Sequence, residues 1–187
     1  MRKTALAAII LAAISPCVAA TPVTITFEDV TAPGPIGDFY AGLGVHFDGA
    51  WHLLQGTGTY PAHSGDNLVY SSMAAGVINF DMPVATVSGW FTSSSNAVPS
   101  LYLEAYSGLN AMGTLLDTAT INRNADSIDL MEVSGDGIWS VKIHDSGNYF
   151  TMDDFAYVVP EPATASLLAI LLAGGALRLR KRKNRQD

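Results

Sequence analysis

Two pairs of adjacent acidic residues are the best candidates for metal chemistry. Glu28 and Asp29 follow the first alternating segment of the chain, and Asp153 and Asp154 lie within the last one. The first and last strands of a sandwich usually neighbour one another, so the four carboxylates are predicted to converge on a structural calcium ion. Calcium accepts carboxylate oxygens in flexible geometry, which suits strand ends better than a zinc site would. The alternative is that one acid of each pair faces water and the other caps a turn.

Flat aromatic side chains are a second candidate chemistry, because sugar rings stack on such faces while nearby polar groups accept hydroxyl hydrogen bonds. Trp51 and Tyr60 lie in a Gly-rich region beside His52 and His63 and are predicted to be the exposed pair. The alternation of the surrounding residues places Trp90 in the interior. The alternative is that all of these rings belong to the core.

Catalytic chemistry has no local signature in this chain. Four histidines and many Ser and Asp residues are present, but no nucleophile elbow or HExxH motif places them. A zinc site from His46, His52 and His63, and paired carboxylates for glycoside hydrolysis, remain alternatives. The chain is therefore predicted not to be an enzyme.

The elements that would position these residues are short strands. Alternating, β-branched or aromatic segments recur every ten to twelve positions between Gly, Pro, Asn, Asp and Ser, which is typical of a sandwich or barrel. No sustained helical periodicity occurs inside 21–158. We predict an all-β, antiparallel, jelly-roll-like β-sandwich of about ten strands, with helices only at the two ends. The predicted strands cover 23–27, 44–47, 51–54, 77–80, 86–91, 101–106, 114–121, 127–133, 138–143 and 149–158.

Charge is distributed very unevenly along the 187 residues. Residues 21–160 carry fifteen acidic and two basic residues, a formal charge of −13, whereas the last ten residues are strongly basic. A body this acidic repels phosphate backbones, which argues against nucleic-acid binding.

The N-terminus has the layout of a secretory signal peptide over residues 1–20. Arg2 and Lys3 precede an apolar run, and small residues occupy the positions that signal peptidase reads before Thr21. A retained N-terminal anchor is the alternative. Cleavage there removes Cys17, so the mature chain has no cysteine and folds without disulfides.

The C-terminus has three consecutive parts over residues 159–187. A Pro-Glu-Pro motif is followed by an uncharged apolar run and then by a basic tail. Snorkelling arginines extend the run to a predicted transmembrane helix over 163–179, and the positive charge keeps the tail in the cytoplasm and the body outside. A buried core helix and a plain linker are the alternatives. The motif is Pro160, Glu161 and Pro162, and the basic cluster is Arg178, Arg180, Lys181, Arg182, Lys183 and Arg185.

This tripartite end resembles the PEP-CTERM sorting signal of Gram-negative bacteria that make exopolysaccharide. The resemblance implies recognition by an exosortase, an integral-membrane protease or transpeptidase, near Pro160–Pro162. Residues 21–158 are similar to the small jelly-roll domains that often precede such signals. The C-terminal resemblance implies a protein that is tethered to the inner membrane before processing and is then sorted to the cell surface or extracellular matrix. The expected role is structural or adhesive, and the alternatives are a carbohydrate-binding module that holds exopolysaccharide or a glycan hydrolase.

Overall fold

The computed structural model describes residues 20–32 and 34–160. This part of the chain is all-β and antiparallel, which confirms the predicted class. Two short 3-10 helices, Ala41–Leu43 and Leu109–Ala111, are its helical elements. The strands are β1 Val23–Ile25, β2 Val45–Phe47, β3 Trp51–Gln55, β4 Asn67–Ser71, β5 Ala75–Ser93, β6 Leu101–Tyr106, β7 Leu115–Ile121, β8 Asp129–His144 and β9 Phe150–Val158.

The strands form two sheets that share the long strands β5 and β8. The first half of β5 and the second half of β8 pair with each other and continue into β2 on one side and β6 and β7 on the other. The remaining halves continue into β9, which pairs in turn with β1 and β4, and β3 closes the second sheet. Both long strands therefore pass from one sheet to the other.

Proline and glycine explain why β5 and β8 bend instead of ending. The register between the two strands shifts between Asn79 and Thr86, around Pro83, which cannot donate a ladder hydrogen bond. On β8 the bend falls at Gly135–Gly137, where Gly137 has a φ of 84°. The sequence predicted separate strands on either side of each position, and these predictions were wrong because both breaks are bends within continuous strands.

The core lies between the two sheets and is rich in aromatic rings. Phe47 on β2 packs edge to face on Trp51 of β3, with ring centroids 6.0 Å apart, and on Phe155 of β9 at 5.8 Å. Phe80 on β5 stacks on Phe155 at 6.3 Å. These contacts join the facing sides of the two sheets, as expected for a sandwich, and they stabilise it without a disulfide in the described residues.

The sequence missed β4. No strand was predicted over 67–71, because Ser64, Gly65, Asp66 and Asn67 have the composition of a turn. The predicted signal peptide and the predicted transmembrane helix over 163–179 lie outside the described residues. Within residues 20–32 and 34–160, helices long and apolar enough to cross a membrane do not occur.

Candidate functional site

The first and last strands are neighbours, as the sequence predicted. β1 pairs antiparallel with β9, with Val23 opposite Tyr157 and Ile25 opposite Phe155. Three of the four predicted acids then contact the connection between β3 and β4. This connection, residues 56–66, is here called the β3–β4 loop.

β9 contains a bulge at its acid pair. The register with β5 shifts between Ser88 and Trp90, and Asp154 has a φ of 44°. Met152 and Phe155 both belong to the core, although residues three apart cannot share one face of a regular strand. The extra residue of the bulge returns both side chains to the core and leaves Asp153 and Asp154 beside the β3–β4 loop.

Asp153 is fully buried and anchors the loop through its backbone. Its Oδ2 accepts hydrogen bonds from the N–H groups of His63 at 2.7 Å and Ser64 at 3.0 Å. Its Oδ1 accepts from the N–H of Asp154 at 2.7 Å. Burial raises the pKa of Asp153, while the N–H donors of Ser64 and Asp154 lower it, and the net shift is upward. Such backbone bonds satisfy donors that would otherwise be buried without a partner.

Asp154 holds the side chains of the same loop residues. Its Oδ2 lies 2.5 Å from His63 Nδ1, and its Oδ1 accepts from Ser64 Oγ at 2.7 Å. The His63 ring stacks on Trp90, with centroids 3.8 Å apart and planes at 10°. Ser64 donates to the aspartate and not to the histidine, so these three side chains do not have the Ser–His–Asp order of a catalytic triad.

Glu28 anchors the other end of the loop. Its Oε1 accepts from the N–H groups of Asp66 at 3.0 Å and Asn67 at 2.7 Å. A Cβ at Gly65 would lie 2.4 Å from the Glu28 carboxyl carbon, and Gly65 has a φ of 56°. A glycine is therefore required at this close approach.

Asp29 has a different partner, the hydroxyl of Tyr40, which donates to its Oδ1 at 2.5 Å. Burial and this neighbouring carboxylate raise the pKa of Tyr40. Each of the four predicted acids thus holds part of the polypeptide in place. Over residues 20–32 and 34–160, no group of three or more His, Cys, Asp or Glu side chains is arranged to hold a metal ion. Calcium binding stays a prediction.

Trp51 is not an exposed aromatic, and this prediction was wrong. Its side chain is fully buried, and its Nε1 donates to the carbonyl of Val77 at 3.3 Å. A Cβ at Gly76 would lie 2.4 Å from the Trp51 ring, so the glycine makes room for the indole between the sheets. The sequence suggested exposure because Trp51 lies in a Gly-rich region. In the structure Gly76, distant in sequence, leaves space for the Trp51 ring in the core.

Because Trp51 is buried and Tyr60 is only partly exposed, the predicted pair does not form a shared surface. Trp90 is also partly buried. The Tyr60 hydroxyl hydrogen-bonds with Ser94 Oγ at 2.6 Å. Trp90, predicted to point inward, lies on the opposite side of β5 from the buried neighbours Gly89 and Phe91. Its position against His63 gives the β3–β4 loop a flat surface to pack on.

An open groove runs along the edge of the second sheet, between β3 and its loop. One recess of about 760 Å³ is lined by Glu28, Leu53, Leu54 and Asn67 among others. A second, of about 490 Å³, lies within the loop, and both recesses share Gln55 and Asp66. The groove was not predicted, because Gly56–Gly58 and Ser64–Asn67 each have the composition of a short turn. The unusual length of the β3–β4 loop for a hairpin connection was the available signal.

A second polar cluster lies on β6 and β8. His144 stacks parallel to Tyr102 at 4.9 Å, and its Nε2 is 3.3 Å from Glu104. Burial alone would raise the pKa of Glu104, but the hydrogen bond from Tyr106 and the nearby His144 imidazole lower it overall. Burial and Glu104 raise the pKa of Tyr106 to about 12. The cluster lies on the face of the first sheet, and the buried His144 Nε2 has no partner in hydrogen-bond geometry among the described residues.

Comparison with known proteins supports the architecture. No protein-family model matches the chain, and no curated protein does. Among solved structures, the K2 cleaved adhesin domain of Lys-gingipain shares 17% identity at a TM-score of 0.53, over 74% of this chain and 100% of that domain. The K1 cleaved adhesin domain from Porphyromonas gingivalis shares 15% at 0.49, over 75% and 99%. A carbohydrate-binding module from Clostridium stercorarium, in complex with cellobiose, shares 12% at 0.42, over 74% and 94%.

The likeness to the first adhesin domain shows a shared fold. Its level of identity carries no information about ligands or residues of this chain. The fold class is thus established by the strand pairing and by this likeness, whereas the function has to be argued from the chain's own residues.

Proposed function

We propose that this chain is an exported protein that an exosortase sorts to the cell surface or the exopolysaccharide matrix. Before processing it is tethered in the inner membrane by residues 163–179, with the basic cluster in the cytoplasm. Signal peptidase removes residues 1–20. The observation that carries the proposal is the order of the Pro160–Pro162 motif, the apolar run and the basic cluster in a chain whose first twenty residues have the layout of a signal peptide.

The end of the sandwich supports this proposal. β9 ends at Val158, Val159 still packs against the core, and Pro160 is exposed. Pro160 and Pro162 lack backbone N–H groups and favour extended geometry in the residues before them. The proposed sorting motif therefore begins directly after the last strand, at an exposed proline.

The body is proposed to have an adhesive or structural role and no catalytic one. A sandwich of this fold serves as an adhesin domain elsewhere, which is compatible with a binding role here. Its described residues pack an aromatic core and secure their long loop through Asp153 and Glu28. Such a scaffold keeps a surface loop ordered outside the cell without a disulfide.

Binding of matrix polysaccharide is a second candidate function. The groove between β3 and its loop favours it, because side chains with unused hydrogen-bonding groups line a recess of the size usual for small-molecule sites, about 300–1,000 Å³. This function adds to display at the cell surface and does not compete with it.

Intact-mass analysis tests the sorting proposal. The chain is expressed in a Gram-negative host with an exosortase and in the same host without it. The mature protein should begin at Thr21, and its C-terminus should lie near Pro160–Pro162 only when the exosortase is present. A Pro160→Ala, Pro162→Ala double variant should keep its basic tail, whereas Pro61→Ala, a matched substitution in the β3–β4 loop, should be trimmed normally. Identical C-termini in both hosts, or an untrimmed N-terminus, would overturn the proposal.

A further inference from the structure

The groove between β3 and its loop has two kinds of wall. One wall is apolar and comes mainly from Leu54 at the edge of the second sheet, while its neighbour Leu53, which also borders the recess, packs against the core. The other is polar and comes from Glu28, Gln55, Asp66 and Asn67. A pyranose ring has the same two kinds of surface, a face of C–H groups and a rim of hydroxyls, so the walls match it in chemistry.

The polar wall offers mainly acceptors. Glu28 uses Oε1 for the loop backbone, and the Asn67 amide nitrogen donates to the carbonyls of Phe27 and Val30. Within the described chain, Glu28 Oε2, the Asp66 carboxylate and Asn67 Oδ1 have no donor. A ligand that complements this wall must bring several hydrogen-bond donors, as a polyhydroxylated molecule does.

The groove also selects on charge. Two carboxylates line it, and the lysine and arginine of residues 21–160, Lys142 and Arg123, are absent from its walls. Arg123 is engaged elsewhere, donating to the Ser94 carbonyl at 2.8 Å. The local field and the formal charge of −13 over residues 21–160 both repel a carboxylated or sulfated sugar.

The walls are already in place before any ligand arrives. Glu28 ties β1 to the start of β4, and Asp153 ties β9 to the middle of the β3–β4 loop. The Gly56 N–H donates to the Asp66 carbonyl at 2.8 Å and closes the base of the loop. A pre-ordered groove loses little conformational entropy on binding.

We infer that this groove is a binding site for uncharged, hydroxyl-rich glycans, and that it excludes acidic ones. The inference rests on the proposed function, since display at the cell surface brings the groove into contact with polysaccharide. Gln55 and Asp66 are the specificity-determining residues, because they lie where the two recesses meet and their side chains make no hydrogen bond within the described chain.

Affinity electrophoresis of the full chain tests this inference. The gels contain one polysaccharide each: the neutral polymers galactan, β-glucan, xylan, mannan and dextran, and the acidic polymers polygalacturonate and alginate. At least one neutral polymer should retard the protein, and neither acidic polymer should. Gln55→Ala and Asp66→Ala should each weaken retardation about fivefold or more, since each removes one or more hydrogen-bonding groups.

Three further variants make the result specific. Asn148→Ala and Asp136→Ala remove exposed polar side chains outside the groove and should leave retardation unchanged. Asp66→Asn keeps an acceptor but removes the charge, so it should retain most binding to the neutral polymer. Circular dichroism of every variant should show the wild-type melting temperature, because the changed side chains make no contact that the fold needs.

The inference is overturned if no neutral polymer in the panel retards the chain, if an acidic polymer retards it as strongly, or if the groove variants bind like the wild type. None of these results bears on export or C-terminal trimming, which the mass experiment reads separately. Trimming with no glycan binding would therefore refute the groove and leave the sorting proposal standing.

Discussion

Replacing Asp153 by alanine should destabilise the sandwich and release the β3–β4 loop. The carboxylate is fully buried and accepts three backbone N–H bonds, from His63, Ser64 and Asp154. Each donor left without an acceptor costs roughly 1–3 kcal/mol, which gives about 3–9 kcal/mol in total. Removal of a buried charge offsets part of this, and the raised pKa of Asp153 shows that the carboxylate is held at a cost. We expect a net loss of about 2–5 kcal/mol.

Thermal unfolding followed by circular dichroism measures this effect. For a domain of this size, about 1 kcal/mol corresponds to roughly 3 °C, so Asp153→Ala should lower the melting temperature by roughly 6–15 °C. Asp153→Asn keeps one acceptor oxygen for His63 and Ser64 and should lose less than half as much. Asp136→Ala, at an exposed position without side-chain partners in the described residues, should stay within about 0.5 kcal/mol of the wild type.

Hydrogen exchange separates this explanation from a general loss of stability. The amides of His63, Ser64 and Asp154 should exchange slowly in the wild type, and in Asp153→Ala they should exchange faster than amides of β6 under the same conditions. If Asp153→Ala melts with the wild type and these three amides stay protected, Asp153 does not anchor the loop and the reasoning fails.

Two further predictions concern protonation and metal. His46 lies 2.7 Å from Asp38 and 2.9 Å from Asp81, and its hydrogen bonds to Asp38 and then Asp81 raise its pKa above 6.5. Stabilisation of the fold by His46 should thus be complete below pH 6.5 and be lost as the pH rises through the folded-state pKa. Melting temperatures of the wild type and of His46→Gln should therefore converge as the pH is raised. A difference that stays constant with pH would contradict the ion pairs of His46 with Asp38 and Asp81. Millimolar calcium should raise the melting temperature of the wild type, with reversal by a chelator and a smaller effect in a Glu28→Gln, Asp154→Asn variant; an unchanged melting temperature removes the calcium hypothesis.

Alternation in the sequence identified most of the sheet, because one face of each strand is buried and the side chains change face at every residue. β6 was predicted at its observed bounds, Leu101–Tyr106, since a clean alternation is bounded by turn residues. Alternation did not predict the strands correctly where one strand passes from the first sheet to the second. Pro83 and the glycines of 135–137 have the composition of turns, and only packing of both halves of β5 and β8 against the core makes them bends.

The candidate site shows the same division. The pairing of the first and last strands was predicted correctly, and it brings Glu28, Asp153 and Asp154 to the same loop, whereas Asp29 bonds to Tyr40. Their partners came from elsewhere in the chain. His63, Ser64 and Asp66 lie in a loop whose path depends on a bulge in β9 and on the stacking surface of Trp90, and no local pattern encodes that path.

Composition and order along the chain determined the features that are local: the acidic body, the alternating strands and the lack of cysteine after residue 20. The two terminal signals stay predictions from charge and hydropathy. Tertiary structure alone decided that Trp51 is core, that the acids hold a loop, and that Gln55 and Asp66 line a groove. The physical reason is that burial and hydrogen-bond partners depend on residues distant in sequence. Gly76 makes room for Trp51 in the core, and the bulge at Asp154 places two carboxylates beside the loop. The residues next to these side chains in the sequence do not reveal either role.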